Sequence, residues 1–462
     1  MDRVEKGQIV MHDVYGRGTV LLTFYGGLMA RVSFGNFSLL LSARELNPTG
    51  LGIRLVSGDQ PRSRPAALPS LKTPVFRPGS QDRPVGDAVA LESFRLGLVP
   101  TSQIEQWTFG REAELETIRA FLHDRTEGAV LIEGSYGAGK SHLLHFLVRD
   151  AERSGFAVAM AGFDPSEAAA AFPSNTWRKL VQSFHVKLDG VEHDFREFLK
   201  ELVSRPAWRN SLGGHPLLGR FLERLEANRV DEEDFEWIEG RRSGESLHYP
   251  TLHGYTTCAN IYCNLLSAIS RAAAEVLGLE GLLVLLDEAE VARSVRYRYQ
   301  EDRGINFFRG LTLTANDEPV LLEEEIEKDE VLTGVASGLV YSGHCPIRYT
   351  SGIPAHLKVA FALTPGPLVN SFRAARETIQ IVELELLSPN DLKAIFTQIC
   401  DRFQAVFGVR VSHADRNRLF SYLLSSDGVN STRDFIKATV ESLDYLRFYP
   451  HGSVENLMAD AR

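Results

Sequence analysis

The sequence contains little cysteine, four residues in 462, and no long hydrophobic run. So few cysteines exclude a disulfide-rich scaffold and indicate a reducing compartment, for which we expect the cytoplasm. No stretch approaches about 18 uninterrupted apolar residues, so a transmembrane helix is not expected. The N-terminal segment also lacks the basic start, apolar core and small-residue cleavage site of a secretory signal. We therefore expect no membrane association.

Charge is unevenly distributed along the chain. The sequence has 50 basic and 60 acidic residues, a formal net charge of −10. Residues 1–100 hold 12 Lys and Arg against 8 Asp and Glu, so they carry +4 and the remaining 362 residues carry −14. This balance argues against indiscriminate nucleic-acid binding by the whole chain, but it allows a basic N-terminal patch to contact nucleic acid.

Residues 1–56 have the pattern of short β-strands separated by glycine turns. The segments rich in Val, Leu, Phe and Met are 8–11, 18–24, 28–34 and 37–41. Strands in so short a segment can bury a core only by curling into a small barrel. Six prolines between residues 61 and 84 then predict a semi-extended linker over residues 57–87.

From residue 88 onward, helical and strand-like patterns alternate, which predicts an α/β fold. The short apolar runs that a parallel sheet covered on both faces requires are 129–133, 156–162, 282–286, 357–363 and, more mixed, 378–384. We expect this α/β core to extend over residues 88–387. Apolar positions at helical spacing after Ser388 predict a helical subdomain over residues 388–462.

Residues 134–141 match the phosphate-binding pattern G-x-x-x-x-G-K-S/T, after an apolar strand and before a helix-like run that begins with His142. The motif consists of Gly134, Ser135, Tyr136, Gly137, Ala138, Gly139, Lys140 and Ser141. The glycines let successive backbone N–H groups wrap a β-phosphate at a helix N-terminus. Lys140 can reach the β- and γ-phosphates, and the Ser141 hydroxyl can ligate Mg²⁺.

Two carboxylates, Asp287 and Glu288, follow the apolar run 282–286. They stand at the carboxyl end of the expected strand, where ligand sites of α/β sheets are found. Adjacent carboxylates there are costly unless a cation or a water network uses them. We expect Asp287 to hold Mg²⁺, mostly through water, and Glu288 to polarise the water that attacks the γ-phosphate. The pair favours hydrolysis over binding alone.

Four further polar residues have two interpretations each. Thr364 ends the run 357–363 and either contacts the γ-phosphate and the attacking water or caps the strand. Arg373 or Arg376 either enters a neighbouring subunit's nucleotide site as an arginine finger or lies on a solvated helix face. Arg433 stands at an expected helix start, where it either reaches the phosphates or pairs with a nearby acid.

Other chemically active side chains fit structural roles. Cys258 and Cys263 lack a second Cys or His pair at metal-ligand spacing, and His142 and His145 lack an acid and nucleophile arrangement. The acidic runs 231–234 and 323–327 fit a solvated surface, with carboxylate metal ligation as the alternative.

At these motifs the chain resembles an AAA+-type P-loop ATPase. More narrowly, residues from about 88 to 450 resemble the ATP-binding protein family of bacterial BREX phage-exclusion systems. Besides 134–142, the segments behind this resemblance are Leu-Gly-Leu-Val-Pro at 96–100, Phe-Gly-Arg-Glu at 109–112, the acidic strand at 281–290 and Thr-Arg-Asp at 432–434. The resemblance implies ATP as the nucleotide and residues 388–462 as a lid.

The resemblance also assigns roles to individual residues. It implies that Phe109, Gly110 and Arg111 lie by the adenine, that Thr364 is a first sensor and that Arg433 is a second. From Lys140 to Asp287 is 147 residues, much longer than a compact AAA+ core needs. We therefore expect a mainly helical insertion around residues 165–260.

The N-terminus resembles a different family. Segments 7–12, 15–20, 30–35 and Glu45-Leu46 look like the Tudor-like barrel that ends UvrD-type helicases and starts CarD-type transcription regulators. The resemblance implies an SH3/Tudor-like β-barrel over residues 1–56. Such barrels bind polymerase or other protein partners, and sometimes nucleic acid.

These features predict an ATP-hydrolysing, Mg²⁺-dependent switch or motor that acts on DNA, directly or through partners, in bacterial anti-phage defence. An arginine finger implies an ATP-dependent homo-oligomer, and the family resemblance implies other defence-system proteins, such as a helicase, as partners. Two alternatives stay open. One is a nucleotide-gated scaffold that recruits a helicase, nuclease or methyltransferase, and the other is a ring-forming helicase loader or transposition regulator.

Overall fold

The structure is a computed structural model of the 462-residue chain. It describes residues 83–462 apart from 164–170, 243–247, 289–297, 329, 375–378, 427, 450–453, 455 and 458–462, and the backbone of five strands between residues 9 and 48. Two compact units divide the chain: residues 1–103 with 388–462, and residues 104–387. No helix among the described residues has the length and apolar character needed to cross a membrane.

The described strands and helices alternate through most of the chain. The strands are β1 (Ile9–His12), β2 (Gly16–Phe24), β3 (Met29–Ser33), β4 (Ser38–Ser42), β5 (Asn47–Pro48), β6 (Ala129–Gly134), β7 (Phe156–Gly162), β8 (His185–Leu188), β9 (Val191–Asp194), β10 (Gly281–Asp287), β11 (Ile326–Lys328), β12 (Leu332–Gly334), β13 (Val340–Tyr341), β14 (Leu357–Leu363) and β15 (Gln380–Leu384). The helices are α1 (Arg83–Leu96), α2 (Glu112–His123), α3 (Lys140–Arg153), α4 (Pro173–Ser183), α5 (Phe195–Ser204), α6 (Trp208–Leu212), α7 (Gly219–Glu226), α8 (Glu232–Ile238), α9 (Ala259–Leu277), α10 (Arg298–Ala315), α11 (Pro367–Ala374), α12 (Pro389–Phe407), α13 (His413–Ser425) and α14 (Thr432–Phe448).

The N-terminal strands form an antiparallel sheet in the order β4-β3-β2-β1-β5, with a bulge in β2 between Val20 and Leu22. Its closure into a Tudor-like barrel stays a prediction. Residues 57–82 of the expected linker lie outside the described residues. Residues 83–87 are helical and not linker, because α1 begins at Arg83. Pro84 is tolerated there because the first turn of a helix does not use its N–H groups.

The unit of residues 104–387 is built on a seven-stranded sheet in the order β15-β6-β14-β10-β7-β8-β9. The first five strands are parallel and coincide with the five apolar runs in the sequence. Every residue of β6, β10 and β14 is buried. Because neighbouring side chains of a strand point to opposite faces, this means that both faces are covered. The predicted α/β fold with a parallel sheet is confirmed.

A glycine allows β10 to start beside β14. Gly281 has φ 139°, and a β-carbon there would lie 1.9 Å from the carbonyl oxygen of His356. No other residue fits without moving this backbone, because the conformation and the space both exclude a side chain. The close approach fixes the register in which Leu282 pairs with Leu357.

The chain between β7 and α9 contains helices α4–α8 and an antiparallel hairpin, β8–β9, that extends the central sheet. Its core is aromatic: Trp237 stacks on Tyr249 with 4.4 Å between ring centroids, and Trp177 Nε1 donates to the carbonyl of Ile238 at 2.8 Å. The acidic run 231–234 forms a capping box, in which Asp231 and Asp234 each accept the other's backbone N–H. These carboxylates therefore stabilise α8.

A second excursion, between α10 and β14, forms the antiparallel sheet β11-β12-β13. Glu324 organises it, because its carboxylate accepts hydrogen bonds from the Ser337 backbone N–H at 2.6 Å and the Tyr341 hydroxyl at 2.8 Å. One acid of the run 323–327 is thus a structural hydrogen-bond acceptor. Among the described residues, no group of three His, Cys, Asp or Glu side chains could hold a metal ion.

The described helices of the other unit are α1 and α12–α14. Arg95 of α1 makes a two-pronged ion pair with Asp444 of α14, with Nε and Nη2 donating at 2.6 and 2.8 Å. Both side chains are largely buried. The sequence predicts that residues 88–103 belong to the α/β core, but in the structure they group with the C-terminal helices, because α1 lies against α12 and α14.

Candidate nucleotide-binding site

The phosphate-binding motif forms a loop between β6 and α3. Gly137 and Gly139 have φ of 75° and 106°, in the left-handed region that favours glycine. Gly139 is the N-cap of α3, and the N–H of Ala138 donates to Ser135 O at 3.1 Å. This curvature leaves backbone N–H groups at the start of α3 directed to one anion-binding region.

Lys140 is buried at the first position of α3. Its Nζ donates to the carbonyl oxygens of Gly134 at 2.9 Å and Ser135 at 3.2 Å, and to Thr364 Oγ1 at 3.1 Å. The structure therefore brings together the lysine of the loop and the polar residue at the end of β14, which lie 224 positions apart in sequence.

Asp287 ends β10 beside the start of α3. The carboxylate is largely buried and accepts a hydrogen bond from the Ser141 hydroxyl. Burial raises the pKa of Asp287, an effect that the Ser141 hydrogen bond and the nearby His145 and Lys140 oppose. The two residues expected to hold Mg²⁺ are thus in contact.

Glu288 has a left-handed backbone conformation, with φ 54°, immediately after β10. Non-glycine residues seldom adopt this region, and those that do are concentrated at functional sites. Its N–H donates to Asp287 Oδ1 at 3.0 Å, so the Asp287 carboxylate and the Glu288 backbone are tied together. No pattern in the sequence indicates this conformation.

Arg111 lies against the phosphate loop. Its buried guanidinium donates to the carbonyl oxygens of Ala138 at 2.9 Å and Glu385 at 2.5 Å, and to Glu114 Oε1 at 2.8 Å. Arg111 therefore links the loop to the chain that follows β15. Gly110 precedes it with φ 59°, and Phe109 is half-buried. Their proximity to an adenine stays a prediction.

His142 and His145 lie on α3 just beyond the motif. Burial lowers the pKa of His142 to about 4, so its ring is neutral at pH 7. The Thr108 hydroxyl donates to Ile104 O at 2.7 Å, which leaves His142 Nε2, 2.8 Å from the hydroxyl oxygen, as the donor to it. Burial also lowers the pKa of His145, near Asp287. No pattern in the sequence connects either histidine with these partners.

The arginine candidates occupy different surroundings. Arg373 Nη2 donates to Glu133 Oε2 and Glu383 Oε1, both at 2.6 Å, so it is engaged within its own chain. Arg376 lies outside the described residues. Arg433, in the first turn of α14, packs over the turn after α1: a β-carbon on Gly97 would lie 3.1 Å from Arg433 Nε.

Two observations fit ATP with Mg²⁺. The buried Asp287 carboxylate, with its raised pKa, lies in contact with a serine hydroxyl, a donor set that suits a hard divalent cation. The Lys140 ammonium donates to uncharged oxygens at the base of the loop. The glycines of this loop have no side chains that would keep a phosphate from its backbone N–H groups. The residues present would thus hold both groups.

The comparisons with known proteins agree with this geometry. The sequence of residues 108–314 matches the model of the AAA ATPase domain. No curated protein sequence matches the chain. The site and sheet define a P-loop nucleotide-binding protein. With an AAA ATPase domain matched at residues 108–314, it is a P-loop ATPase.

Several solved structures are similar to the chain at low identity. AMPPCP-bound DnaA from Aquifex aeolicus has 14% identity and a TM-score of 0.30, over 73% of this chain and 63% of that one. The E. coli MS115-1 HORMA:CdnC:Trip13 complex has 10% identity and a TM-score of 0.37, over 78% of this chain and 90% of that one. Drosophila ORC bound to DNA has 14% identity and a TM-score of 0.35, over 78% of this chain and 68% of that one. This chain thus spans less than two thirds of the DnaA chain. At such TM-scores these likenesses carry no functional inference.

Proposed function

We propose that the protein is a Mg²⁺-dependent, ATP-hydrolysing switch that acts on DNA in bacterial anti-phage defence. The observation that supports hydrolysis is the meeting of Lys140, Ser141, Asp287 and Thr364 where β6, β10 and β14 end, with Glu288 next in the chain. Parallel strands bring ligand-binding groups to this edge of a sheet.

Each residue at this edge has a distinct task. The loop N–H groups and Lys140 bind the β- and γ-phosphates, and Ser141 and Asp287 hold Mg²⁺. The metal neutralises charge on the phosphate oxygens when bound. Glu288, whose backbone is fixed through Asp287, orients and polarises the attacking water.

Thr364 connects nucleotide state to the sheet. Its hydroxyl accepts a hydrogen bond from Lys140 Nζ. When Lys140 binds a γ-phosphate, it no longer donates to the Thr364 hydroxyl, and this hydroxyl can then donate to the phosphate. Hydrolysis restores the hydrogen bond between Lys140 and Thr364. The end of β14 therefore has two alternative partners, which a switch requires.

The remaining roles rest on the family resemblance in the sequence. In this proposal Arg433 is a second sensor, and Arg373 or Arg376 completes a neighbouring subunit's site in an ATP-dependent homo-oligomer. For Arg373 this requires release of Glu133 and Glu383. The DNA target, a helicase-like defence partner, the barrel's role and the cytoplasmic location likewise follow from sequence and stay proposals.

Two separate substitutions test hydrolysis, each changing one glutamate next to β10 to glutamine: one follows the strand and the other precedes it. Glu288→Gln should lower ATP turnover at least about a hundredfold, the scale of a lost general base, while ATP affinity stays within a few-fold. Glu280→Gln makes the same change at the exposed residue before β10 and should leave turnover unchanged. Normal turnover in Glu288→Gln would overturn the assignment. Lys140→Ala should lose nucleotide affinity.

The action on DNA is examined in the same assay. Turnover of the full chain should rise when DNA is added, and removal of residues 1–56 shows whether the N-terminal module mediates the effect. Slow turnover that DNA does not alter would reject a DNA-driven switch and favour the nucleotide-gated scaffold.

A further inference from the structure

Three aromatic rings from two chain segments stack together on the unit of residues 104–387. Ring centroids are 5.5 Å apart for His253 and Tyr255, 5.3 Å for Tyr255 and His344, and 4.8 Å for His253 and His344. The ring planes are within 16–31° of parallel. Tyr255 is 54% exposed and His344 is exposed. We call these three residues the ring platform.

Helix α9 fixes both segments that carry the rings. The buried Tyr262 donates its hydroxyl to His253 O at 2.9 Å. Asn260, fully buried, accepts from the Ser342 N–H at 3.0 Å and donates to Cys345 O at 2.9 Å, on either side of His344. Buried side-chain hydrogen bonds of this kind restrict the backbone, so the platform is preorganised before any ligand arrives.

The two chain segments that carry the platform lack acidic residues over long stretches of sequence. Residues 246–274 and 331–376 contain no Asp or Glu, although the chain has 60 acids in 462 residues. The segment that carries His344 adds an exposed arginine, Arg348. A surface formed by these segments lacks the carboxylates that would repel a phosphate backbone.

The surroundings of His253 favour its uncharged imidazole. Burial and the neighbouring His344 lower the pKa of His253. Neutral rings attract through their faces, and aromatic faces pair with other π systems in offset stacks.

We propose that the ring platform of His253, Tyr255 and His344 stacks the bases of an unpaired nucleic-acid strand. Base stacking on exposed aromatic side chains is how proteins bind single strands with little sequence preference. The inference deepens the proposed action on DNA and rests on it. It assigns the base contact to the ATPase unit and not to the N-terminal module.

The test measures binding of a fluorescent single-stranded oligothymidylate to the full chain by anisotropy. Tyr255→Ala should raise the Kd about five- to a hundredfold, the scale of one lost base stack, and Tyr255→Phe should bind as the unchanged protein does. His344→Ala should weaken binding in the same direction. Affinity for a fluorescent ATP analogue serves as the folding control for each variant.

A second probe separates base stacking from phosphate attraction. An abasic strand of equal length should bind the unchanged protein as weakly as oligothymidylate binds Tyr255→Ala. Equal affinity for both strands, or an unaltered Kd in Tyr255→Ala, overturns the platform. An oligoribouridylate arm shows whether the platform accepts RNA as well as DNA.

The platform and the proposed function fail in different ways. If double-stranded DNA stimulates turnover equally in the unchanged protein and in Tyr255→Ala, and single strands do not bind, the switch stands and the platform falls. If no strand binds and DNA does not stimulate turnover, the platform and the proposed action on DNA are both rejected.

Discussion

Arg111 illustrates how a single side chain can fix the geometry of a nucleotide site without taking part in the reaction. Its guanidinium joins the carbonyl of Ala138 in the phosphate loop to that of Glu385 beyond β15. The Ala138 carbonyl, whose hydrogen bond is buried, loses a charged donor if the arginine is removed, and an unsatisfied buried acceptor costs about 1–3 kcal/mol. The loop geometry therefore depends on a residue 27 positions upstream.

We expect Arg111→Ala to weaken ATP binding about tenfold, because the loop loses its fixed curvature. Arg119→Ala is the matched control: Arg119 lies on α2, and its ion pair with Asp150 is partly exposed, so binding should change less than twofold. Titration with fluorescent ATP and GTP analogues measures both.

The ATP-to-GTP ratio distinguishes the two roles open to Arg111. A residue that positions the loop alters the affinity for both nucleotides alike, whereas a residue that contacts adenine alters their ratio. A changed ratio in Arg111→Ala would contradict the positioning role and support the adenine contact that the sequence resemblance implies.

At the scale of elements, the insertion between β7 and α9 carries a titratable group buried in its neutral form. His215 Nδ1 accepts the N–H groups of Leu217 at 3.2 Å and Leu218 at 3.1 Å, before α7. Burial lowers the pKa of His215 to about 4. In the unfolded chain a histidine has a pKa of about 6.5.

Stability of the insertion should therefore fall in acid. Between about pH 6.5 and 4 the unfolded chain binds a proton that the folded chain does not, so the free energy of unfolding decreases as the pH falls, by about 1.4 kcal/mol per pH unit. Above pH 6.5 this contribution is complete. Urea unfolding followed by tryptophan fluorescence measures it, since three of the four tryptophans, Trp177, Trp208 and Trp237, lie in this insertion.

His215→Asn provides the comparison, because an asparagine can accept the same N–H groups and does not titrate. Its unfolding free energy should depend less on pH than that of the unchanged protein. Above pH 6.5 the two proteins should show the same pH dependence. Identical pH profiles for the two proteins would exclude His215 as the source.

Strands and loops that correspond to a local pattern in the sequence could be predicted from it. The parallel strands stand out as unbroken apolar runs, and the phosphate loop as a spaced motif. The hairpin β8–β9 was missed because a short, polar, edge-forming segment has no comparable signal, and the insertion around residues 165–260 was expected to be mainly helical. The sequence does not indicate that α1 groups with the C-terminal helices, because only packing assigns a helix to a unit.

The site was predictable only where function constrains neighbouring residues. Asp287 and Glu288 follow a buried strand, which the sequence displays. The Lys140–Thr364 hydrogen bond, the Arg111 contact with Ala138 and the left-handed φ of Glu288 arise from tertiary packing. No local pattern in the sequence encodes them.

At the scale of the whole molecule, the proposed arginine finger makes assembly depend on ATP. With ATP, Glu288→Gln should form a larger particle than without it, because the bound state is trapped. Lys140→Ala should stay at the size of the ATP-free protein. Light scattering coupled to size-exclusion chromatography measures both masses, and a mass that ATP does not alter in Glu288→Gln would exclude ATP-dependent assembly.

The contact between Gly97 and Arg433 also constrains how the sequence can diverge. Gly97 has φ 69°, and any β-carbon there would press on the guanidinium at 3.1 Å. A side chain at position 97 therefore displaces the guanidinium of Arg433, in addition to the strain that the positive φ imposes. Across descendants of this gene, the two positions should covary although 336 positions separate them, and the glycine should disappear only in lineages that have also lost the arginine.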